Sequence, residues 1–279
     1  MWTLLQIELF KIFKRPRTYI SFAAIAAIVL LIQLAFYADG NTYIQFLLQN
    51  INTSFDVDGK ILNGYLICFV ILQTLLIHVP LLIALIGGDM IAGEANLGTL
   101  RLLISKPISR EGLILSKFLA TMLYTLMLLL WMALLSLVVS LLVFGTGDLM
   151  IFKSTQIFIL DKSDIMWRYF AAFGFAAIAM TAVAALSFLL SLFAENSIGP
   201  IVSTMSIVIV FTILTTMDLP LFNALKPFLF TSHMLGWKGF FDDPVNFPSV
   251  LKSAGILLLH IIGFVTAAIF IFKRKDVLS

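Results

Sequence analysis

The stretch from Phe118 to Phe144, FLATMLYTLMLLLWMALLSLVVSLLVF, decides the fold class of this chain. Its 27 residues include no Asp, Glu, Lys or Arg. A helix rises about 1.5 Å per residue, so about 20 such residues cross the hydrocarbon core of a bilayer. The whole chain of 279 residues is similar in character, with 61% hydrophobic and 12% charged residues. Water-soluble and disordered chains are far more polar, so the composition indicates an integral membrane protein.

Five further stretches of about the same length also lack acidic and basic residues. The six predicted spans are 18–37, 65–88, 118–144, 169–194, 198–217 and 253–272. These runs are continuous in Leu, Ile, Val, Ala and Phe, whereas a transmembrane strand alternates over about 9–11 residues. We therefore predict an all-α integral membrane protein in which residues 1–279 form one domain with six transmembrane helices. The first run is too long for the apolar core of a signal peptide and should remain as a helix.

The lysines and arginines predict the orientation. With six spans both termini lie on one side of the membrane, and that side carries 11 of the 18 basic residues. The opposite side carries 7, although its loops are longer. Since positive charge accumulates on the cytoplasmic side, we predict that both termini are cytoplasmic.

Residues 1–17 predict an interfacial helix ahead of the first span. At 100° per residue its apolar side chains share one face, while Glu8, Lys11 and Arg15 crowd the other. Such a basic amphipathic helix should lie among the cytoplasmic headgroups, with anionic membrane lipid as a partner.

The segment between the second and third spans predicts a short cytoplasmic helix. Leu97, Leu100, Arg101 and Ile104 follow the i, i+3, i+4, i+7 spacing, and Pro107 ends the pattern. Such a helix beneath two spans could be a contact surface for a cytoplasmic partner. The alternative is a solvated loop that only reverses the chain.

The same segment resembles a known family. Its pattern Glu94-x-x-x-Gly98-Thr99-Leu100-x-Leu102-Leu103-x-Ser105-x-Pro107-Ile108-Ser109-Arg110, followed by Lys117, is similar to the cytoplasmic loop of ABC-2 type transporter permeases. The N-terminal amphipathic helix, the six spans and the basic tail at 273–276 match as well. The resemblance covers essentially the whole chain, and its specific part is residues 93–110.

The resemblance implies the membrane subunit of an ATP-driven transporter, more often an exporter, in a bacterial cytoplasmic membrane. Residues 93–105 would form the coupling helix, with Glu94, Gly98, Thr99 and Arg101 as the ATPase-coupling positions. The implied partners are two ABC ATPase subunits, which would hold ATP and magnesium, and a second permease, identical or related. No nucleic acid partner is expected.

The loop at 218–252 is apolar and aromatic but is interrupted by four prolines. It is too broken to span the membrane. The resemblance implies short re-entrant helices here, which close the external end of the pathway. The alternative is an interfacial loop with an aromatic belt.

The fourth span is rich in alanine, which lets helices approach closely. This pattern predicts either a helix inside the bundle or a seam between two copies.

The sequence lacks the motifs of several chemistries. It contains no G-x-x-x-x-G-K-[ST] loop, so we expect no ATP hydrolysis by this chain, no catalytic residue and no cofactor. The single cysteine, Cys68, and three separated histidines do not form a metal site. Two alternatives to transport stay open. A lipid-modifying membrane enzyme would have to use Asp148, Asp161, Asp164 and Arg168, and a non-transporting anchor or sensor would act through a partner ATPase.

Overall fold

Helices make up most of the structure, a computed structural model that describes residues 1–48, 61–104, 107–152, 157–217 and 219–275. In chain order the elements are α1 (Trp2–Lys14), α2 (Pro16–Leu48), α3 (Gly64–Gly87), α4 (Asp89–Asn96), α5 (Thr99–Ile104), α6 (Arg110–Ala133), a π-helical segment (Leu134–Val139), α7 (Ser140–Phe144), β1 (Leu149–Phe152), β2 (Ile157–Leu160), α8 (Lys162–Ser191), α9 (Ile198–Thr216), α10 (Pro220–Asn223), a first 3₁₀ segment (Lys226–Phe228), α11 (Phe230–Met234), a second 3₁₀ segment (Leu235–Phe241) and α12 (Phe247–Arg274). Ser105 and Asp276, which belong to the predicted coupling region and basic tail, lie outside the described residues.

Within these ranges, six stretches are long and apolar enough to cross a membrane. They are Pro16–Gly40, Ile77–Asn96, Arg110–Phe144, Lys162–Ser191, Ile198–Thr216 and Phe247–Arg274. The prediction of a multi-pass helical membrane protein is confirmed at this level. The stretches at Pro16–Gly40, Arg110–Phe144 and Phe247–Arg274 run beyond the predicted spans, because a charged residue ends an uncharged run without ending a helix. The second stretch begins at Ile77, which is 12 residues after the predicted start.

The two ends of the bundle are distinguished by contacts between distant parts of the chain. Arg110 donates hydrogen bonds to the carbonyls of Lys273 and Lys275, and Lys275 donates to the Leu192 carbonyl. This end, which also holds α1, α4 and α5, is called the terminal end below. The segments that follow α7 and α9, together with residues 61–63 ahead of α3, lie at the opposite end, called the loop end.

The loop end contains a two-stranded hairpin that the all-α prediction did not include. Strands β1 and β2 are antiparallel, with Leu149 opposite Leu160. Both leucines are buried, whereas Ile159 is 62% exposed. The prediction was wrong here because it assigned the whole of residues 145–168 to a loop, and four-residue strands are too short to show a clear period in the sequence.

Helix α8 lies at the centre of the bundle, where it contacts α3, α6, α9 and α12. In its most apolar part, 67% of the residues are buried, whereas the corresponding share is 17% in α9 and in α12. The buried alanines are Ala172, Ala176, Ala179, Ala182, Ala184 and Ala185. Their small side chains let four helices approach one another, which favours packing inside the bundle over a seam between two copies.

The segment between α9 and α12 folds back against the bundle. Phe230, in α11, is buried and its ring contacts those of Phe211, His260 and Phe264 at 5.9–6.4 Å between centroids. Phe264 lies 11 residues inside the predicted last span, which at 1.5 Å per residue is about 16 Å from its start. A re-entrant segment would need such contacts, because irregular backbone inside a bilayer must be covered by protein.

A polar contact near the loop end holds the π-helical segment. The Gln33 amide of α2 donates hydrogen bonds to the Leu135 carbonyl and the Ser140 hydroxyl, each at 3.0 Å. A π-helical turn changes the regular helix bonding, so a carbonyl within it can accept a bond from a neighbouring helix. Gln33 is 5% exposed. Through these two bonds it joins α2 to the third membrane-spanning stretch, Arg110–Phe144, called the third crossing below.

The variant Gln33→Leu should lower the thermal stability, since it leaves the Leu135 carbonyl without this donor in an apolar environment. We expect a loss of about 1 kcal/mol. The measurement is the reaction of a thiol-specific fluorophore with the buried Cys68 while the protein is heated in detergent. Gln73→Leu is the matched control, because Gln73 is exposed on α3. Equal melting temperatures for the two variants would contradict the role of Gln33.

Candidate functional site

The predicted coupling region consists of two short helices instead of one. Helix α4 ends at Asn96, and α5 begins at Thr99 after a turn at Leu97 and Gly98. Glu94 therefore lies in the last turn of α4, whereas a coupling helix over residues 93–105 would have placed it in a first turn. The helix dipole disfavours a carboxylate at that end, so Glu94 must be stabilised by other groups.

Gly98 makes the turn between the two helices possible. Its φ is +69°, in the left-handed region that glycine occupies without strain, and its N–H donates to the Ala95 carbonyl at 3.0 Å. A Cβ at this position would meet no atom within 4 Å. The left-handed conformation of Gly98 is therefore the reason for glycine at this position.

The other two predicted residues lie in α5. The Thr99 hydroxyl donates a hydrogen bond of 3.3 Å to the Glu94 carbonyl, which links the end of α4 to the start of α5. Arg101 lies in the first turn of α5. The structure thus brings Glu94, Gly98 and Thr99 together at one turn, with Arg101 next to them along the chain.

The Glu94 carboxylate points into a closed ring of four charged side chains, the charge ring. Its members are Glu8 and Lys11 of α1, Glu94 of α4 and Lys117 of α6. Each carboxylate binds both ammonium groups. Lys11 Nζ lies 2.8 Å from Glu8 and 2.9 Å from Glu94, and Lys117 Nζ lies 2.9 Å from Glu8 and 2.7 Å from Glu94. The ring is neutral overall and connects three helices that are far apart in the sequence.

Three of the four side chains of the charge ring are shielded from solvent. The side chain of Lys117 is 1% exposed and those of Glu8 and Glu94 are each 5% exposed, while Lys11 is 33% exposed. Burying such ions is costly, and breaking one pair in place costs more because it leaves an uncompensated charge. The ring therefore fixes α1 to α4 and α6, and Glu94 is not an exposed group that a partner can reach.

Sequence reasoning placed Glu8 on the wrong side of α1. It expected Glu8, Lys11 and Arg15 to face water, but Glu8 is buried beside Ile12, whereas Phe10 is 66% exposed. One feature of the sequence did point to a buried ion pair at this place. Lys117 follows shortly after the pattern at 94–110 and lies directly before the uncharged span 118–144. A lysine at such a position requires an acidic partner.

Burial and the two neighbouring glutamates have opposite effects on the pKa of Lys11. Partial burial of the ammonium group lowers the pKa, but the hydrogen bonds and charges of Glu8 and Glu94 outweigh this and raise it above 10.5. The stabilisation from Lys11 is thus complete at neutral pH. It is lost only as the pH rises through the raised pKa of the folded state.

A second ionic cluster lies beside the charge ring. Arg17 donates to the Asp89 carboxylate at 2.9 Å, and Arg15 and the Ser197 hydroxyl donate to the same carboxylate. Asp89 opens α4 and its side chain is 7% exposed. Gly93 leaves room for it, because a Cβ at residue 93 would lie 2.4 Å from Asp89 Oδ1. This cluster joins the start of α2 to α4 and to the start of α9.

An apolar cavity of about 200 Å³ lies farther along the bundle and opens on its outer face beside Ile77, which is 66% exposed. It is bounded by α3, α8, α9 and α11, with Ile77, Pro80, Met180 and Val208 among the lining residues. Thr231 of α11 also lines it and is 4% exposed. The cavity suits an apolar molecule or part of one.

The residues that an enzyme would have to use are engaged in structural contacts. Asp161 caps the start of α8 by accepting the Ser163 N–H, and Asp148 accepts the Lys162 N–H. Arg168 pairs with Asp164 and donates to the carbonyls of Phe240 and Asp242. In the part of the chain that the structure describes, no group of three His, Cys, Asp or Glu side chains is placed to hold a metal ion.

These features define a helical protein of the multi-pass membrane class, with an N-terminal helix fixed to the end of its bundle by buried charges. The chain belongs to the family described as "Protein of unknown function (DUF2705)", which matches residues 19–278. It is also similar to the "Uncharacterized protein YhcI" of Bacillus subtilis (strain 168), with 25% identity over 199 residues. That similarity covers 69% of this chain and 63% of the relative, so the chain spans less than two thirds of the relative's length.

The variant Lys117→Met should destabilise the protein by about 3–5 kcal/mol, because Glu8 and Glu94 would then share Lys11 alone in a buried site. The double variant Lys117→Met, Glu8→Gln should recover part of this loss, since it removes one charge of each sign and keeps the pair of Lys11 and Glu94. Both are measured by the thermal exposure of Cys68.

The control is Lys273→Met at the same end of the bundle. Lys273 pairs with Glu111, but its side chain is 48% exposed, so its loss should cost about 0–1 kcal/mol. A double variant less stable than Lys117→Met alone would show that the charge ring does not act as a coupled set.

Proposed function

We propose that this chain is the permease subunit of an ATP-driven ABC transporter, more specifically an exporter of the ABC-2 type. A second permease, identical or related, would complete the translocation pathway, and two separate ATPase subunits would bind at the terminal end. This chain would hydrolyse no ATP itself. The proposal includes a bacterial cytoplasmic membrane, with both termini in the cytoplasm.

The observation that carries the proposal is the charge ring. It connects the helix pair α4–α5 to α1 on one side and to the start of the third crossing, α6, on the other. A displacement applied to α5 from outside the bundle would therefore move α6 as well, because separating them would expose or unpair buried charges. A loop that only reversed the chain would not need such a connection.

The tip of the α4–α5 turn offers a surface for the ATPase. Leu97 and Leu102 are 69% and 67% exposed, beside Leu100, which is buried. These two exposed leucines give the turn an apolar surface of the kind that a partner protein can cover. In this proposal Leu97 and Leu102 make the apolar contact, Arg101 adds a donor for a carboxylate, and Glu94, Gly98 and Thr99 hold the turn in place.

The apolar cavity supports transport of an apolar molecule. It lies between helices of the bundle, and one wall comes from α11, which belongs to the segment that folds back from the loop end. In an exporter, a movement of α11 relative to α9 would open or close this space toward the outside. The lining suits a lipid, an apolar peptide or a hydrophobic drug.

The orientation can be tested by cysteine labelling in a Cys68→Ser background. Asp243→Cys, at an exposed position of the loop end, should react with a membrane-impermeant maleimide in intact cells. Leu97→Cys, at the terminal end, should react only after lysis. The reverse pattern would show that the terminal end faces outward, where no ATP-driven partner could bind.

The coupling role can be tested with a candidate ATPase subunit, which is a protein with a Walker motif that co-purifies with this chain. The two proteins are expressed together, purified through a tag on this chain, and assayed for ATP hydrolysis. The variants Leu97→Glu and Leu102→Glu should lower the amount of bound ATPase by at least tenfold, since each places a charge in an apolar contact. Leu225→Glu, at an exposed position of the loop end, is the matched control.

Substitution of Glu94 is unsuitable for this purpose, because it would disturb the charge ring as well as any contact. Hydrolysis by the purified chain alone would contradict the permease assignment in favour of an enzyme. Normal ATPase binding by both leucine variants would contradict the docking surface. Binding of the ATPase without transport of any apolar probe into vesicles would favour the anchor or sensor alternative.

A further inference from the structure

A polar pocket of about 260 Å³ lies at the terminal end, between the junction of α1 and α2, helix α4 and the start of α9. Arg15, Arg17, Asp89, Asn96 and Ser197 contribute its polar groups. Leu97, which the proposed contact with an ATPase uses, also lines this pocket, but that contact uses neither arginine. The pocket therefore needs an explanation of its own.

The pocket carries an excess of positive charge. Two guanidinium groups face a single carboxylate, Asp89, and the described hydrogen bonds to it use one nitrogen of each arginine, Nη1. A guanidinium group has five N–H donors, so further donors are available on both side chains. Arg15 is 31% exposed and Arg17 is 53% exposed, which leaves them accessible to a ligand. The neighbouring charge ring is neutral and does not offset this excess.

The two arginines lie next to the start of the first membrane span, so the anions nearest to them are those of the lipid headgroups. They flank Pro16, where α2 begins, and the uncharged run of the first span starts at Thr18. They therefore lie at the boundary between water and hydrocarbon, at the depth of the lipid headgroups. Guanidinium groups bind phosphate in a bidentate manner, and two of them on either side of a pocket match its oxygens.

We propose that this pocket binds a phosphate group, and that this group is part of the headgroup of an intact anionic phospholipid. Arg15 and Arg17 donate to the phosphate oxygens, and the Asn96 amide is a further donor in the pocket. Asp89 keeps the arginines in position but competes with the phosphate for their N–H groups. The inference does not depend on the proposed transport function.

The competition gives the proposal a distinctive test. Asp89→Asn keeps the shape of the side chain and removes its charge, so it should tighten phosphate binding several-fold. Arg17→Gln keeps the pair of Arg15 and Asp89 and should weaken binding about tenfold, as expected for one charged hydrogen bond. Arg17→Lys keeps the charge without the planar fork and should have an intermediate effect. A purely structural cluster would lose stability in Asp89→Asn and gain no affinity.

The experiment titrates the purified full chain in detergent with dihexanoyl phosphatidylglycerol, dihexanoyl phosphatidylcholine and inorganic phosphate, and follows binding by native mass spectrometry. Arg274→Gln, at the same end but stacked on the Phe270 ring, is the control and should bind as the unmodified chain does. The thermal exposure of Cys68 verifies that each variant is folded.

Preferential binding of phosphatidylglycerol, with the order Asp89→Asn, unmodified chain, Arg17→Lys, Arg17→Gln, would support the proposal with lipid as the source. The same order with inorganic phosphate alone would support the phosphate site but assign it to a soluble ligand. Equal binding of the two lipids, or binding unaffected by Arg17→Gln, would overturn it. Arginine variants that lose only the ATPase partner would also overturn it, in favour of a protein contact.

Discussion

Two lysines and two glutamates that neutralise one another in a buried ring hold the terminal end of this protein together. None of the four could be buried alone, because the desolvation of each ion is repaid only by its two neighbours. The consequence is that α1, α4 and α6 occupy fixed relative positions, although 109 residues separate Glu8 from Lys117. Helix α1 is thus part of the bundle and more than a membrane-surface anchor.

The ring also determines how the neighbouring parts are arranged. Glu94 is held at the end of α4, so the turn at Gly98 and the start of α5 are held there too, and Asp89 at the other end of α4 meets the arginines at the start of α2. Each glycine in this region has a separate reason: Gly98 a left-handed conformation, and Gly93 the space occupied by Asp89. A helix of eight residues, α4, therefore connects both ionic clusters.

The parts of the fold that depend on burial in lipid could be predicted from the sequence, and those that depend on contacts between distant residues could not. The absence of charge over 118–144 was enough to predict a crossing, because the bilayer imposes its length. Nothing local distinguished Glu8 from a solvent-facing residue, since its partners lie in α4 and α6. The hairpin of β1 and β2 was missed because its strands are only four residues long. At the candidate site, spacing predicted a helix through Leu97 and Arg101, and the break came from one glycine.

The π-helical segment divides the third crossing into two parts, whose side chains are rotated relative to each other around the helix axis. A π-helical turn accommodates an additional residue in about the same rise, so each side chain beyond it is rotated around the axis relative to a regular helix. Residues before the segment can then be aligned with α1 and α8, while Ser140 is aligned separately with Gln33 and with Gly64, where a Cβ would lie 2.6 Å from the Ser140 carbonyl. A single inserted residue thus lets one long helix satisfy two sets of neighbours whose requirements differ in phase.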